Sequence, residues 1–348
     1  MSAKTPRALR LRIGVGLAAA LVLLGGAGLL AWWNTDILGQ DRFCGDALPS
    51  SDVSAVLGGP GRLAQSGLYE ESDPYYSFSC KVQRTSKFVG GDQPLLEAEL
   101  SFDKADFGLG ASRLWKNASA SSYFIGGATG AVSQTQAWVL LPTGCAKEIR
   151  PASQQAETPV LKMNLTRGRS NPAALARAAL ATAQHVAAGL GCTDTNALKM
   201  PARLQGPVDD TNPAVLCGMK GFRLPEAALV KGKAEPGTAH VTGRGSRTRV
   251  CDIVLQGPGE PRISLAVSDD PAVTKAVRRD ETATQGSGRT VTACASGGLY
   301  VGVSFNDAYR DVLLDQGKDA YETARSALFT SFQHAAGKDY GCPPTDGE

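Results

Sequence analysis

Eight cysteines fall into two sets of four, and each set sits among the same ordered landmarks. The first set is Cys44, Cys80, Cys145 and Cys192; the second is Cys217, Cys251, Cys294 and Cys342. An even count at repeating spacing reads as a disulfide framework, and disulfides persist where the surroundings are oxidising. A zinc site would need close pairs such as Cys-x-x-Cys, and none occurs. The pattern predicts two related domains that work outside the cytoplasm.

The repeat can be followed residue by residue. Cys44-Gly45 precedes Leu48-Pro49 and a stretch ending at Gly58; Cys217-Gly218 precedes Leu224-Pro225 and a stretch ending at Gly232. Proline opening and glycine closing each stretch predict a short helix in both copies. The second cysteines lie in strand-like runs, Tyr75 to Val82 and Arg249 to Leu255. Alternating runs follow at Leu95 to Phe102 and Ile263 to Ser268, then at Val160 to Leu165 and Leu299 to Phe305. Each copy closes with a helix, opened by Asn171-Pro172 or Asp307-Ala308 and ending in Gly191-Cys192 or Gly341-Cys342. Gln184-His185 and Gln333-His334 occupy matching places near the ends of those helices.

First to second cysteine is 36 residues in one copy and 34 in the other; third to fourth is 47 and 48. Second to third is 65 against 43, so the length change falls there. Segments closed by a bridge tolerate insertions less readily than an open surface loop. The spacing therefore favours Cys44–Cys80, Cys145–Cys192, Cys217–Cys251 and Cys294–Cys342, although three pairings per copy stay open. Each bridge closes a long loop and contributes about 2–4 kcal/mol.

Residues Ile13 to Trp33 carry no charge and no proline, long enough for a helix to cross a hydrocarbon core. Lys4, Arg7, Arg10 and Arg12 precede them with no acid, which places the tail, 1–12, in the cytoplasm. The run is long for a signal-peptide core, and Leu29 to Trp33 lacks the small residues of a cleavage site. The expectation is a single uncleaved span at 13–33 with everything after it outside.

Domain one is expected over 44–192, a linker over 193–216, domain two over 217–342 and a frayed tail over 343–348. The extra length of the first copy, Trp115 to Gln136, is rich in Ser, Gly and Ala and reads as a surface loop. Tyr123, Phe124 and Ile125 within it form a candidate contact loop, an apolar tip for a partner.

Formal net charge is +3, and the four basic residues of the N-terminal tail account for it. Residues 34–192 hold 14 basic and 14 acidic side chains, and 193–348 hold 18 and 19. That balance argues against nucleic acid, which needs a basic face. Arg244, Arg247 and Arg249 cluster locally and read as a solvated hairpin face. There is no Gly-x-Ser-x-Gly elbow, no His-Glu-x-x-His and no phosphate-binding Gly-rich loop. Ser101 to Lys104 matches Ser-x-x-Lys without its companion motifs. His185 and His334 read as parts of the scaffold, and His240 has no identifiable partner. The residues thus nominate no catalytic group, cofactor site or metal site. Asp269-Asp270-Pro271 reads as the start of a helix.

These landmarks resemble the small extracytoplasmic α+β domains of uncharacterised actinobacterial envelope proteins and lipoproteins, with a membrane helix in place of a lipidated cysteine. The resemblance brings no catalytic residues. The fold expected from the pattern is two α+β domains, each an antiparallel sheet of four or five strands with one face covered by a short first helix and a long closing helix. The function expected is a membrane-anchored binding or scaffold protein whose partners are the cytoplasmic membrane and an envelope protein, lipid or glycan. The alternatives are an envelope hydrolase with a site between the domains, or a receptor signalling through a partner helix.

Overall fold

The structure is a computed structural model that describes residues 7–36, 39–71, 76–85, 93–104, 120–145, 157–192, 195–210, 215–244, 247–279, 288–295 and 297–343. Of the expected tail, 1–6 lie outside the described residues, as do 115–119 and 344–348, and 7–12 are described as helix backbone only.

Helix α1 (Arg7–Asn34) comes first. Its apolar side chains are solvent-facing: Val22 is 74% exposed and Leu24 70%. Among the described residues no helix is long and apolar enough to cross a membrane. The side chains described in α1 are those of 19–32, shorter than the roughly 20 residues a span takes, and the expected span at 13–33 extends past them at both ends.

A two-stranded ribbon, β1 (Arg42–Phe43) and β2 (Leu48–Pro49), leads into α2 (Ser50–Leu57). The next strands are β3 (Arg62–Glu71), β4 (Ser77–Thr85), β5 (Leu95–Lys104), β6 (Ser122–Ile125), β7 (Gly130–Val132), β8 (Gln136–Leu140) and β9 (Glu157–Thr166). Helix α3 (Pro172–Gly189) follows, with the Asn171 side chain accepting from the Ala173 amide at 2.8 Å and Pro172 in the first turn, as the sequence predicts. Strand β10 (Arg203–Gln205) completes an eight-stranded antiparallel sheet of order β10-β6-β7-β8-β9-β5-β4-β3.

The second sheet has six antiparallel strands: β11 (Val208–Asp210), β12 (Glu235–Thr242), β13 (Thr248–Gln256), β14 (Arg262–Ser268), β15 (Arg289–Cys294) and β16 (Gly297–Phe305). Their order is β11-β12-β13-β14-β16-β15. Helix α4 (Pro271–Arg279) lies between β14 and β15, and α5 (Asp307–Leu314) and α6 (Lys318–Asp339) follow β16. The protein is thus α+β with mostly antiparallel sheets. Its four disulfides are Cys44–Cys80, Cys145–Cys192, Cys217–Cys251 and Cys294–Cys342, the pairing that the spacing favours.

Three expectations change. The segment read as a linker supplies β10 to one sheet and β11 to the other, and the sheets have eight and six strands where four or five were expected. The short helix expected before Gly232 is only a 3-10 turn at Glu226–Ala228, because Val230 turns back to pair with Ala234. Tyr123, Phe124 and Ile125 do not form an exposed tip: they are β6, with Tyr123 and Phe124 buried and Ile125 half-buried.

Side-chain alternation sorts the buried residues into three cores. In β8, Ala137, Val139 and the following Leu141 face α2 and α3, while Trp138 and Leu140 face the other way. In the second sheet Cys251, Ile253, Leu265 and Val301 face α5 and α6, whereas Val250, Ala266 and Tyr300 face the opposite side. The two opposite faces meet. Tyr123, Trp138, Leu140 and Val160 of the first sheet pack with Val250, Ala266 and Tyr300 of the second, and with Val273 and Val277 of α4. The layers run helix, sheet, sheet, helix. Among the described residues the first sheet's buried seam side chains come from β6 to β9, and the outer face of β4 and β5 carries the Lys81–Glu97 ion pair at 2.7 Å.

Candidate functional site

The seam is where chemistry-bearing residues from both halves converge. Trp138 and Tyr123 meet edge to face at 6.1 Å, a favoured aromatic geometry. Asp252 is buried on the facing strand and accepts a hydrogen bond from Ser264 Oγ at 2.6 Å. Burial first, and then the Asp252 charge, hold the Tyr123 hydroxyl protonated well above the usual phenol range. Tyr123 is therefore a contact residue, but its contact is the other half of the same chain.

At one end of the seam lies a cleft of about 480 Å³. Phe124, Leu140, Leu141 and Pro142 give it an apolar wall. The turn after β6 forms its rim because the chain passes unusually close there. Gly127 has φ +74°, and a Cβ on it would lie 2.5 Å from the Lys199 carbonyl oxygen. The amides of Ala128 and Ala202 bond to Lys199 O and Ile125 O, at 3.0 and 2.9 Å, which brings Lys199 to the opening.

The second half contributes Arg247 and Asp270. Asp270 begins α4 as the sequence predicts, since its carbonyl accepts from the Thr274 amide at 2.9 Å. Its carboxylate instead reaches across the seam and accepts from Thr129 Oγ1. The neighbouring Asp269 has its carboxyl pushed up by burial, with Arg247 opposing the shift and Asp270 adding to it. The cleft is amphipathic: an apolar wall, two cations at the mouth, and a carboxylate engaged by a threonine.

The histidines lie elsewhere. His185 on α3 has Nε2 3.6 Å from Glu70 Oε1, and Glu70 also accepts from the Tyr76 hydroxyl at 2.7 Å. His240 Nδ1 is 2.8 Å from Asp209, on paired strands β11 and β12. His334 lines a separate hollow of about 320 Å³ beside α6. In the arginine cluster, Arg244 pairs with Asp210 at 2.8 Å and Arg249 with Asp339 at 2.7 Å, which neutralises most of that patch. No group of three or more metal-binding side chains occurs among the described residues.

Asp270 and Arg247 carried a sequence signal, as a helix start and as one of a basic cluster. Thr129 and Lys199 carried none, because only the folded seam brings them together. No protein-family model, curated protein or solved structure matches the chain.

Proposed function

We propose that this chain is a membrane-anchored binding or scaffold protein of the bacterial cell envelope that holds its ligand or partner in the seam cleft. In this reading 13–33 is a single membrane span, 1–12 is cytoplasmic, and the two halves, 44–192 and 217–342, are diverged copies of one domain. The uncharged run of α1 supports the span, since Leu21, Leu23, Leu24 and Leu29 within it are all at least 60% exposed. The four disulfides support an oxidising compartment. The resemblance to actinobacterial envelope domains points the same way.

The observation that carries binding over turnover is the make-up of the cleft. Its polar side chains among the described residues are Thr129, Lys199, Arg247 and Asp270, and the two that could act as nucleophile and base are engaged with each other across the seam. Such a cleft suits a partner that presents an apolar group flanked by polar ones.

A photo-crosslinking residue in place of Lys199 of the full-length protein in intact cells tests this, with Lys81 on the outer face of β4 as control. The proposal expects a discrete adduct at 199 and none at 81; its mass distinguishes protein, lipid and glycan. Equal adducts at both positions would contradict it. So would turnover of an envelope substrate by purified protein that Asp270→Asn abolishes, the hydrolase outcome.

A further inference from the structure

The four bridges differ in how they are covered. Cys44, Cys80, Cys145, Cys192, Cys217 and Cys251 are all buried, none more than 8% exposed. Cys294 and Cys342 are only partly buried. Cys342 also forms part of the wall of the hollow of about 320 Å³ beside α6, within the size range of small-molecule sites.

The matching bridge of the first half shows what seals such a place. There the Gln184 side chain donates to the Leu198 carbonyl at 2.7 Å, and Leu198 is buried in the core beside α3. In the second half the matching Gln333 donates to Thr292 Oγ1 at 3.1 Å, and the hollow opens alongside. Its rim carries Lys338 and His334, both exposed and neither in an ion pair among the described residues.

We propose that Cys294–Cys342 is a thiol-exchange site for low-molecular-weight thiols that carry a negative charge. Access decides which disulfide a thiolate reaches, and this least buried of the four bridges adjoins a hollow that admits one. The incoming thiolate attacks Sγ of Cys342 and forms a new S–S bond there. The Cys342–Cys294 bond breaks, and its electron pair leaves on Cys294 Sγ, which takes a proton from water. The small thiolate is itself the reductant in this step, its sulfur passing from −2 to −1 as that of Cys294 passes from −1 to −2. A second thiolate attacking the mixed disulfide releases the oxidised small thiol, leaving Cys294 and Cys342 as thiols. Two small thiols thereby supply the two electrons. The Lys338 ammonium favours an anionic thiol over a cationic one. Exchange removes the covalent tie between the residues just after α6 and the edge strand β15, leaving the Gln333–Thr292 hydrogen bond as a contact there.

The folded full-length protein is treated in parallel with 2-mercaptoethanesulfonate and with cysteamine at equal thiolate concentration, and adducts are mapped by mass spectrometry. The expected result is a mixed disulfide on Cys342 with the other three bridges intact. It should form about thirtyfold faster with the sulfonate, since at ~4 Å in water the attraction of the anion and the repulsion of the cation are each worth about fivefold. Lys338→Gln should remove that preference, and Lys338→Glu should reverse it. Three results would overturn the proposal: first reaction at another bridge, reaction of all four only on unfolding, or equal rates for the two thiols in the wild-type protein.

Discussion

Cys44-Gly45 and Cys217-Gly218 hold the same backbone in the two halves, with φ of 60° and 63° in one and 60° and 66° in the other. Successive left-handed residues are uncommon, and the second is glycine both times; Asp46 (φ 69°) continues the run in the first half, whereas Met219 (φ −106°) ends it in the second. What lies over the turn differs completely. In the first half a Cβ on Gly45 would meet Glu70 Oε2 at 2.9 Å, with His185 close behind. In the second, a Cβ on Gly218 would meet Arg244 Nε at 2.7 Å, and Arg244 is held by Asp210. The backbone geometry that seats a bridge is the same, whereas the side chains resting on it carry opposite charge. The closing bridges repeat the lesson: one is sealed by the chain that follows it, the other lies open beside a hollow.

The seam offers the largest test of how far the halves depend on each other. Trp138 is buried on the inner face of the first sheet, and Trp138→Ala should cost about 3–5 kcal/mol. Chemical denaturation followed by probes in each half should show both shifting together. A shift confined to the first half would make the halves independent.

The closing bridges come next. Their loops span 47 and 48 residues, so chain entropy alone assigns each about 4 kcal/mol, and the same to both. Any difference reports on packing. Replacing Cys145 and Cys192 by serine buries two hydroxyls, and should destabilise by about 1–2 kcal/mol more than the same change at Cys294 and Cys342. Equal midpoint shifts in denaturant would remove the distinction between sealed and open.

Alkaline pH probes the tyrosines. Burial, the main cause, pushes Tyr340 up to about 12 from 10.0, and it also raises Tyr76 and Tyr309. The folded state therefore binds these protons more tightly, so their stabilisation is complete below pH 10 and is lost as the pH rises towards 12. Each such group steepens the loss by at most about 1.4 kcal/mol per pH unit. Tyr340→Phe should flatten the stability profile of unfolding between pH 10 and 12, and an unchanged slope would refute this assignment.

The smallest effect belongs to the glycines. Gly45→Ala and Gly218→Ala should each cost about 1–2 kcal/mol for the left-handed backbone. Gly218→Ala should cost more, because the side chain it displaces is anchored by an ion pair. Thermal midpoints of the two variants decide the order.

Much of this frame was legible in the sequence. The bridges could be paired because the length change falls between second and third cysteines, and the caps at Asn171 and Asp270 marked true helix starts. The seam was not recognised, although a signal existed. Ala137 to Leu141 is an unbroken apolar run, which fits a strand buried on both faces, and Leu299 to Val303 is nearly so. Tyr123-Phe124-Ile125 reads as a loop tip because the four residues of β6 are too few to establish alternation, and the surrounding Ser, Gly and Ala resemble a loop. The strands β10 and β11 were missed for a similar reason. Each is three residues long, and only the sheets they join specify them.

Calorimetric unfolding of the protein with all four bridges intact tests most directly whether the seam makes the two halves one body with a shared cleft. A single transition, with matching calorimetric and van't Hoff enthalpies, is the predicted result. Two separable transitions, each changed only by mutations in its own half, would contradict it.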